Sequence, residues 1–267
     1  MFTLLSCKCR PGEDLKGLRW LRSTAVWIGI VVSTVFFGLP AIVAAFVPPR
    51  GEWFLRFARG WARTILFFAR IPVLVLHPER LADGRGFVIV ANHESFSDIL
   101  VLLARLPLSV RFLTKKSVFR IPVLGWSIRA AGFVPVDRGN RARSVATVEA
   151  ALQLLKSGRS LVVFPEETRA RTAELLPFKS GAALLALRSG FPLLPIGVAG
   201  TRRALPRGTL AITPGPVAIS IGRPIEVAGR SARDRNEVTR QARERIGALR
   251  DEAAAALAPA SASPLSS

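Results

Sequence analysis

The stretch Phe87-Val88-Ile89-Val90-Ala91-Asn92-His93-Glu94-Ser95-Phe96-Ser97-Asp98 carries most of the information about the fold. Its first five residues are apolar and largely β-branched, which reads as a strand buried on both faces. The polar run that follows opens a helix, predicted over Ser97–Leu106. A loop at the carboxyl end of a strand is where open α/β sheets place their functional groups. Two residues in this loop have matching chemistry. An imidazole such as His93 can take a proton near neutral pH. Asp98, five positions on, can hold the other ring nitrogen and stabilise the imidazolium. The spacing alone does not decide between this and a helix start, in which His93 caps and Asp98 matches the helix dipole.

Outward from this point the same grammar repeats. Strands are predicted at Val73–His77, Phe87–Ala91, Val110–Leu113, Phe133–Val136, Ser160–Phe164, Leu193–Ala199 and Val217–Ile221. Helices are predicted at Ser97–Leu106, Val123–Ala131, Arg141–Ser157 and Lys179–Ser189, with Gly158 as a natural stop. A last helix opens at Ser231 with Asp234 as its capping partner, and Val238, Ala242, Ile246, Leu249 and Ala253 form its apolar stripe. Short apolar strands alternating with helices predict an α/β fold: a mixed, mostly parallel sheet flanked by helices, with an N-terminal hydrophobic helical membrane anchor. The expected organisation is an anchor and interfacial helix over 1–70, a catalytic domain over 71–257 and a disordered Pro/Ser/Ala tail over 258–267.

The chain has 267 residues, half of them hydrophobic, with 38 Lys and Arg against 18 Asp and Glu. The net charge of +20 calls for polyanionic company, either nucleic acid, anionic lipid or phosphorylated substrates. Two cysteines and two histidines exclude a disulfide scaffold and a His-rich metal centre. Cys7 and Cys9 read as free thiols. Between Arg22 and Arg50 there is no charge, and an apolar run of that length exceeds the membrane core as a helix. Both flanks are basic, so the positive-inside rule selects no orientation. Gly38 and Pro40 suggest a break, hence a hairpin or re-entrant anchor with both ends cytoplasmic; a single spanning helix is the alternative. Glu52–Phe68 interleaves Trp53, Phe57 and Trp61 with Arg56, Arg59 and Arg63, the pattern of an interfacial helix with its cations on lipid phosphates. The uncharged run argues against a nucleic-acid partner.

Three further stretches sit after apolar strands. Phe164-Pro165-Glu166-Glu167-Thr168-Arg169 supplies a guanidinium able to fork onto a phosphate. Phe133-Val134-Pro135-Val136-Asp137-Arg138 follows Lys115-Lys116. Leu176-Pro177-Phe178-Lys179-Ser180-Gly181 opens a helix whose N-terminus is an anion site. Four motifs, namely Asn92, His93 and Asp98; Lys115, Lys116, Gly125, Gly132 and Arg138; Phe164 to Arg169; and Phe191-Pro192-Leu193-Leu194-Pro195, resemble the glycerolipid acyltransferase family, whose best-known bacterial members are the 1-acylglycerol-3-phosphate acyltransferases. The four motifs occur in the family's order over roughly residues 70–210.

The resemblance implies an O-acyltransferase of phospholipid biosynthesis. His93, oriented by Asp98, would deprotonate the free hydroxyl of lysophosphatidic acid, which attacks an acyl thioester. Lys116, Glu166, Thr168 and Arg169 would bind the acceptor, and Arg138 acceptor or donor phosphates. The donor would be acyl-CoA or acyl carrier protein, with no metal and no other cofactor. The expected partners are membrane phospholipids, the lysolipid acceptor and that donor. The expected location is the inner, cytoplasmic membrane with the catalytic domain facing the cytoplasm. One departure stands out: the family's glycine in the third motif is Glu167. It leaves another lysolipid, such as lyso-ornithine lipid, open as acceptor. A non-catalytic basic membrane-binding protein is the reading from outside enzymology.

Overall fold

The computed structural model describes residues 11–47, 52–81, 86–136, 141–170, 172, 174–206 and 208–258. Two long helices come first, α1 (Pro11–Ala44) and α2 (Glu52–Phe68). Then follow β1 (Val73–Leu76), β2 (Val88–Ala91), α3 (Ser97–Arg105), β3 (Val110–Lys115), α4 (Leu124–Ala130), β4 (Val134–Val136), α5 (Arg141–Lys156) and β5 (Ser160–Val163). The chain closes with α6 (Gly181–Ser189), β6 (Leu193–Ala199), the short α7 (Thr201–Ala204), β7 (Val217–Ile221) and α8 (Arg235–Ala255). Each of the seven predicted strands and the predicted helices is present, with ends shifted by a residue or two as boundaries commonly are. Ser231 and Asp234 form the expected reciprocal cap, on a single 3₁₀ turn ahead of α8.

The strands make one sheet in the order β1-β7-β6-β2-β5-β3-β4. Every neighbouring pair is parallel except β6 and β7. β2, β5, β6 and β7 are buried at every residue, which explains their unbroken apolar runs. Alternate side chains go to opposite layers. Ile89 and Ala91 join Leu55, Ala62, Val101 and Leu102 in the layer formed by α2 and α3. Val88 and Val90 join Leu155, Ala186 and Ile246 in the layer formed by α5, α6 and α8. One glycine is required by this packing: a Cβ on Gly197 of β6 would lie 2.2 Å from the Arg250 backbone nitrogen, so α8 can rest on the strand only there.

The N-terminal region departs from expectation. No break occurs at Gly38 or Pro40; α1 runs on to Ala44. Gly38 serves close approach instead, since a Cβ there would meet Val123 Cγ1 at 2.5 Å. Pro40 lies inside the helix, four residues before its end, and gives no N–H to the carbonyl of Phe36. The pairing of helices is between α1 and α2, rather than within Ser23–Pro49. Trp20–Ala44 is long and apolar enough to cross a membrane, with mean hydropathy 2.3. Its base is fastened to the sheet domain: Trp27 Nε1 donates to Leu210 O at 2.7 Å, Ser23 Oγ accepts from Ile212 N at 3.1 Å, and Arg22 donates to Ile212 O.

α2 is the amphipathic helix expected, with the expected bounds, but two of its arginines have protein partners. Arg59 donates to Leu106 O and Leu108 O at 3.1 and 2.8 Å, and Arg63 to Ala104 O at 3.3 Å. They serve the carbonyls left over at the end of α3, which carry its negative dipole end. Arg56 lies over the Trp53 ring at 4.3 Å.

Candidate active site

β2, β5 and β3 lie side by side and parallel, so their carboxyl ends deliver three loops to one edge. The first loop begins with Asn92. Its amide donates to Val198 O at 2.9 Å and accepts from Val198 N at 2.8 Å. It thus continues the β2–β6 ladder by one side chain and fixes where His93 leaves the sheet. His93 Nδ1 lies 2.8 Å from Asp98 Oδ2. The same oxygen accepts from the backbone N–H of Glu94 and Ser95 at 2.8 and 2.9 Å. Asp98 is wholly buried, in the first turn of α3, while the His93 side chain is 14% exposed. Three donors on one oxygen hold Asp98 in place, so it takes Nδ1–H and leaves Nε2 for substrate.

The second loop closes over the first. Glu166 Oε1 accepts from His93 N at 2.9 Å and Oε2 from Leu176 N at 3.1 Å. His93 O accepts from Ala170 N at 2.8 Å, so the backbone of His93 is held from both sides. Glu166 is only 5% exposed, and both of its oxygens are occupied by backbone donors. In this structure it acts as a strut under His93; the sequence assigns it to acceptor binding. Burial pushes its carboxyl above the usual range, partly offset by these two N–H donors. Phe164 stacks on the His93 ring at 4.1 Å. Arg169 lies 4.0 Å over the Phe96 ring, fixing a guanidinium beside the dyad. Glu167 has φ +56°, in the left-handed region. That is the physical reason a glycine suits this turn.

Two cavities with a shared wall lie on this side of the sheet. One, of about 540 Å³, is lined by His93, Phe164, Glu167, Thr168, Arg169, Lys115 and Lys179 among others. The second, of about 490 Å³, is almost wholly apolar and runs between α1, α2, α3 and α4. Trp27, Ile30, Thr34, Phe37 and Ala41 of α1 line it at helical spacing, over about 21 Å of helix. Phe96, Ile99, Phe112 and Val118 line both cavities.

The structure thus brings His93, Asp98, Thr168 and Arg169 together, as the motifs required. Lys115 lines the cavity, and Lys116, expected there, does not; it begins the 3₁₀ turn Lys116–Arg120 after β3. β3 ends at Lys115 and the turn begins at Lys116, so the backbone changes course between the two. Arg138 lies outside the described residues, as do Cys7 and Cys9. Sequence reasoning missed that α1 and α2 wall a cavity. The signal was the second stripe on α1, with Ile30, Thr34, Phe37 and Ala41 opposed to exposed Ile28, Val32, Val35 and Phe36.

Residues 73–199 match the Acyltransferase family model. The chain is similar to the chloroplastic 1-acyl-sn-glycerol-3-phosphate acyltransferase of Brassica napus, 40% identical over 52% of this chain and 40% of that protein. It is 32% identical to the corresponding chloroplastic enzyme of Arabidopsis thaliana, over 79% of this chain and 59% of that one. The chain therefore spans about half the length of these plant relatives. The crystal structure of the 1-acyl-sn-glycerophosphate acyltransferase PlsC from Thermotoga maritima superposes with TM-score 0.73 at 27% identity, covering 87% of this chain and 98% of that one. The His–Asp pair at the edge of a mostly parallel sheet, the motif order and this likeness agree: residues 73–199 carry an acyltransferase-family domain.

Proposed function

We propose that the protein transfers an acyl group from acyl-CoA or acyl carrier protein to the free hydroxyl of lysophosphatidic acid. The observation that carries this is a pair of cavities that share a wall, Phe96, Ile99, Phe112 and Val118, with His93 lining the cationic one. A cationic cavity suits a phosphate, an apolar one suits an acyl chain, and the base lines the first of them. Nε2 of His93 takes the hydroxyl proton, and the oxygen attacks the thioester carbonyl. The C–O bond forms, the C–S bond breaks, and the imidazolium returns its proton to the leaving thiolate. Asp98 holds the tautomer and stabilises the imidazolium. Lys115, Lys179 and Arg169 bind acceptor or donor phosphates. The apolar stripe on α1 and exposed Trp53, Phe67 and Phe68 on α2 suit a bilayer surface, which holds both acceptor and product. The +20 charge suits an anionic leaflet. In a bacterial-type cell this is the inner membrane, with the sheet domain on the cytoplasmic side.

A second acceptor class has one observation in its favour. Glu167 adds a negative side chain to the wall of the cationic cavity. That favours a head group carrying an amine beside or in place of its phosphate, as in lyso-ornithine lipid. The test is thiol release by detergent-solubilised protein with oleoyl-CoA or oleoyl-acyl carrier protein, each offered lysophosphatidic acid or an aminolipid acceptor. Release that requires lysophosphatidic acid and is lost in His93→Ala supports the reading. Release with the amine acceptor alone transfers it to the second class, and release unchanged in His93→Ala overturns the mechanism.

A further inference from the structure

Ser95 is wholly buried beneath the dyad and lines neither cavity. Its backbone brackets the acid. Ser95 N donates to Asp98 Oδ2 at 2.9 Å, and Ser95 O accepts from Asp98 N at 3.4 Å. The other carboxylate oxygen, Oδ1, is buried without a hydrogen-bond partner among the described residues. The orientation of the carboxylate, and with it the hold on His93 Nδ1, therefore depends on the donors gathered at Oδ2. The Ser95 side chain serves a different connection. Its Oγ donates to Leu205 O at 2.8 Å, and accepts from Ser97 Oγ and Ser97 N at 2.9 and 3.2 Å. It ties the dyad loop to the segment that follows α7.

That segment is tied in turn to α1. Thr213 N donates to Ala204 O at 2.8 Å, which brings their chain neighbours Ile212 and Leu205 to one junction. Ile212 N donates to Ser23 Oγ at 3.1 Å, and Ile212 O accepts from Arg22. Ser23 is itself only 2% exposed and also lines neither cavity. A series of hydrogen bonds between adjacent residues thus runs from the base of α1, through Ile212–Thr213 and Ala204–Leu205, to Ser95 and Asp98. We infer that Ser95 is a positioning residue of the His93–Asp98 pair, one that makes the hold on the general base depend on how α1 is seated against the sheet domain. It touches no substrate and acts through Asp98. Since α1 carries the apolar face that suits a bilayer, the helix placed in the lipid and the base that works on the lipid are kept in one register. Coupling of this kind is demonstrated by a cycle of variants at the two ends, not by the series of contacts itself.

The effect on catalysis rests on the function proposed above, so the test has one arm that needs no turnover. Full-length protein in detergent is labelled with 15N in histidine alone. The chain has two histidines, so the His93 ring signals are those missing from His93→Ala. The wild type shows Nδ1 protonated and Nε2 bare. Ser95→Ala mixes the two tautomers, and Ser23→Ala moves the same signals in the same direction by a smaller amount. Ring signals unmoved in either variant overturn the inference, whether or not the protein is an acyltransferase. In the second arm, kcat for acyl transfer from oleoyl-CoA to lysophosphatidic acid falls on the order of tenfold in Ser95→Ala and about threefold in Ser23→Ala, while KM for the acceptor stays within about twofold. The double variant is no slower than Ser95→Ala, because the series is already cut. Losses that multiply, or a raised KM with kcat kept, overturn it. A wild type without turnover counts against the proposed function, and the ring signals still decide the inference. Should Ser95→Ala not fold, Ser23→Ala decides alone, and unmoved His93 ring signals overturn the inference equally.

Discussion

Replacing Glu166 by glutamine separates a strut from a substrate ligand. Both carboxylate oxygens take backbone donors, His93 N at 2.9 Å and Leu176 N at 3.1 Å. Glutamine keeps one acceptor oxygen and turns an NH2 group toward the other N–H. One buried donor then loses its acceptor, which costs about 1–3 kcal/mol. The neutral amide recovers part of the burial penalty that holds the Glu166 carboxyl above its usual range, so the net loss falls near the lower end, about 1–2 kcal/mol. For a chain of this size that lowers Tm by roughly 2–8 °C. Catalysis suffers through geometry: His93 loses one of the two ties on its backbone, and a shift of about 1 Å costs on the order of 100-fold in kcat. KM for the acceptor should stay within about twofold, because no ground-state contact is removed. Thermal denaturation in detergent and steady-state kinetics on the same preparation measure all three. An unchanged Tm with an acceptor KM raised tenfold or more would refute the strut and restore Glu166 as a ligand.

Other substitutions probe separate parts of the account. Glu167→Gly relieves a left-handed backbone position at φ +56° and should stabilise the protein by about 1 kcal/mol, seen as a rise in Tm. It also removes a negative charge from the cationic cavity, so kcat/KM for lysophosphatidic acid should rise; a fall would show that Glu167 assists that acceptor. Ala58→Trp fills part of the apolar cavity of about 490 Å³ and should shift preference toward shorter acyl chains in a competition between donors. An unaltered product profile would remove the acyl chain from that cavity. Glu94→Gln should also change stability with pH. A carboxyl raised to about 7 in the folded protein binds its proton more tightly there than when unfolded, so wild-type stability falls as pH rises from about 4.5 to 7. The variant should escape that fall, of order 3 kcal/mol, and be the more stable protein at pH 8.

The strands were readable because burial on both faces leaves a distinctive apolar run, as in Phe87–Ala91 and Leu193–Ala199, and because turns and caps punctuate them. The His93–Asp98 pair was readable because five residues of chain are enough to carry one to the other. What escaped the sequence depends on distant partners. Glu166 became a strut through Leu176 and through His93, 73 positions away. Arg59 and Arg63 donate to carbonyls near the end of α3, some forty positions away in the sequence. Lys115 ends β3 and Lys116 opens the turn after it, a boundary that two adjacent lysines do not mark. Pro40 could be judged only with Gly38 already packed on Val123. The cavity wall on α1 needed the fastening of Ser23 and Trp27 to residues 210–212, which no local pattern encodes.

The most direct test of the central claim follows the acyl chain itself. Purified protein in anionic phospholipid vesicles is given isotope-labelled oleoyl-CoA and lysophosphatidic acid, and the lipid products are weighed by mass spectrometry. The account predicts labelled phosphatidic acid, formed by the wild type and absent from His93→Ala, with Asp98→Asn reduced by several orders of magnitude. Labelled phosphatidic acid formed equally by His93→Ala would contradict it.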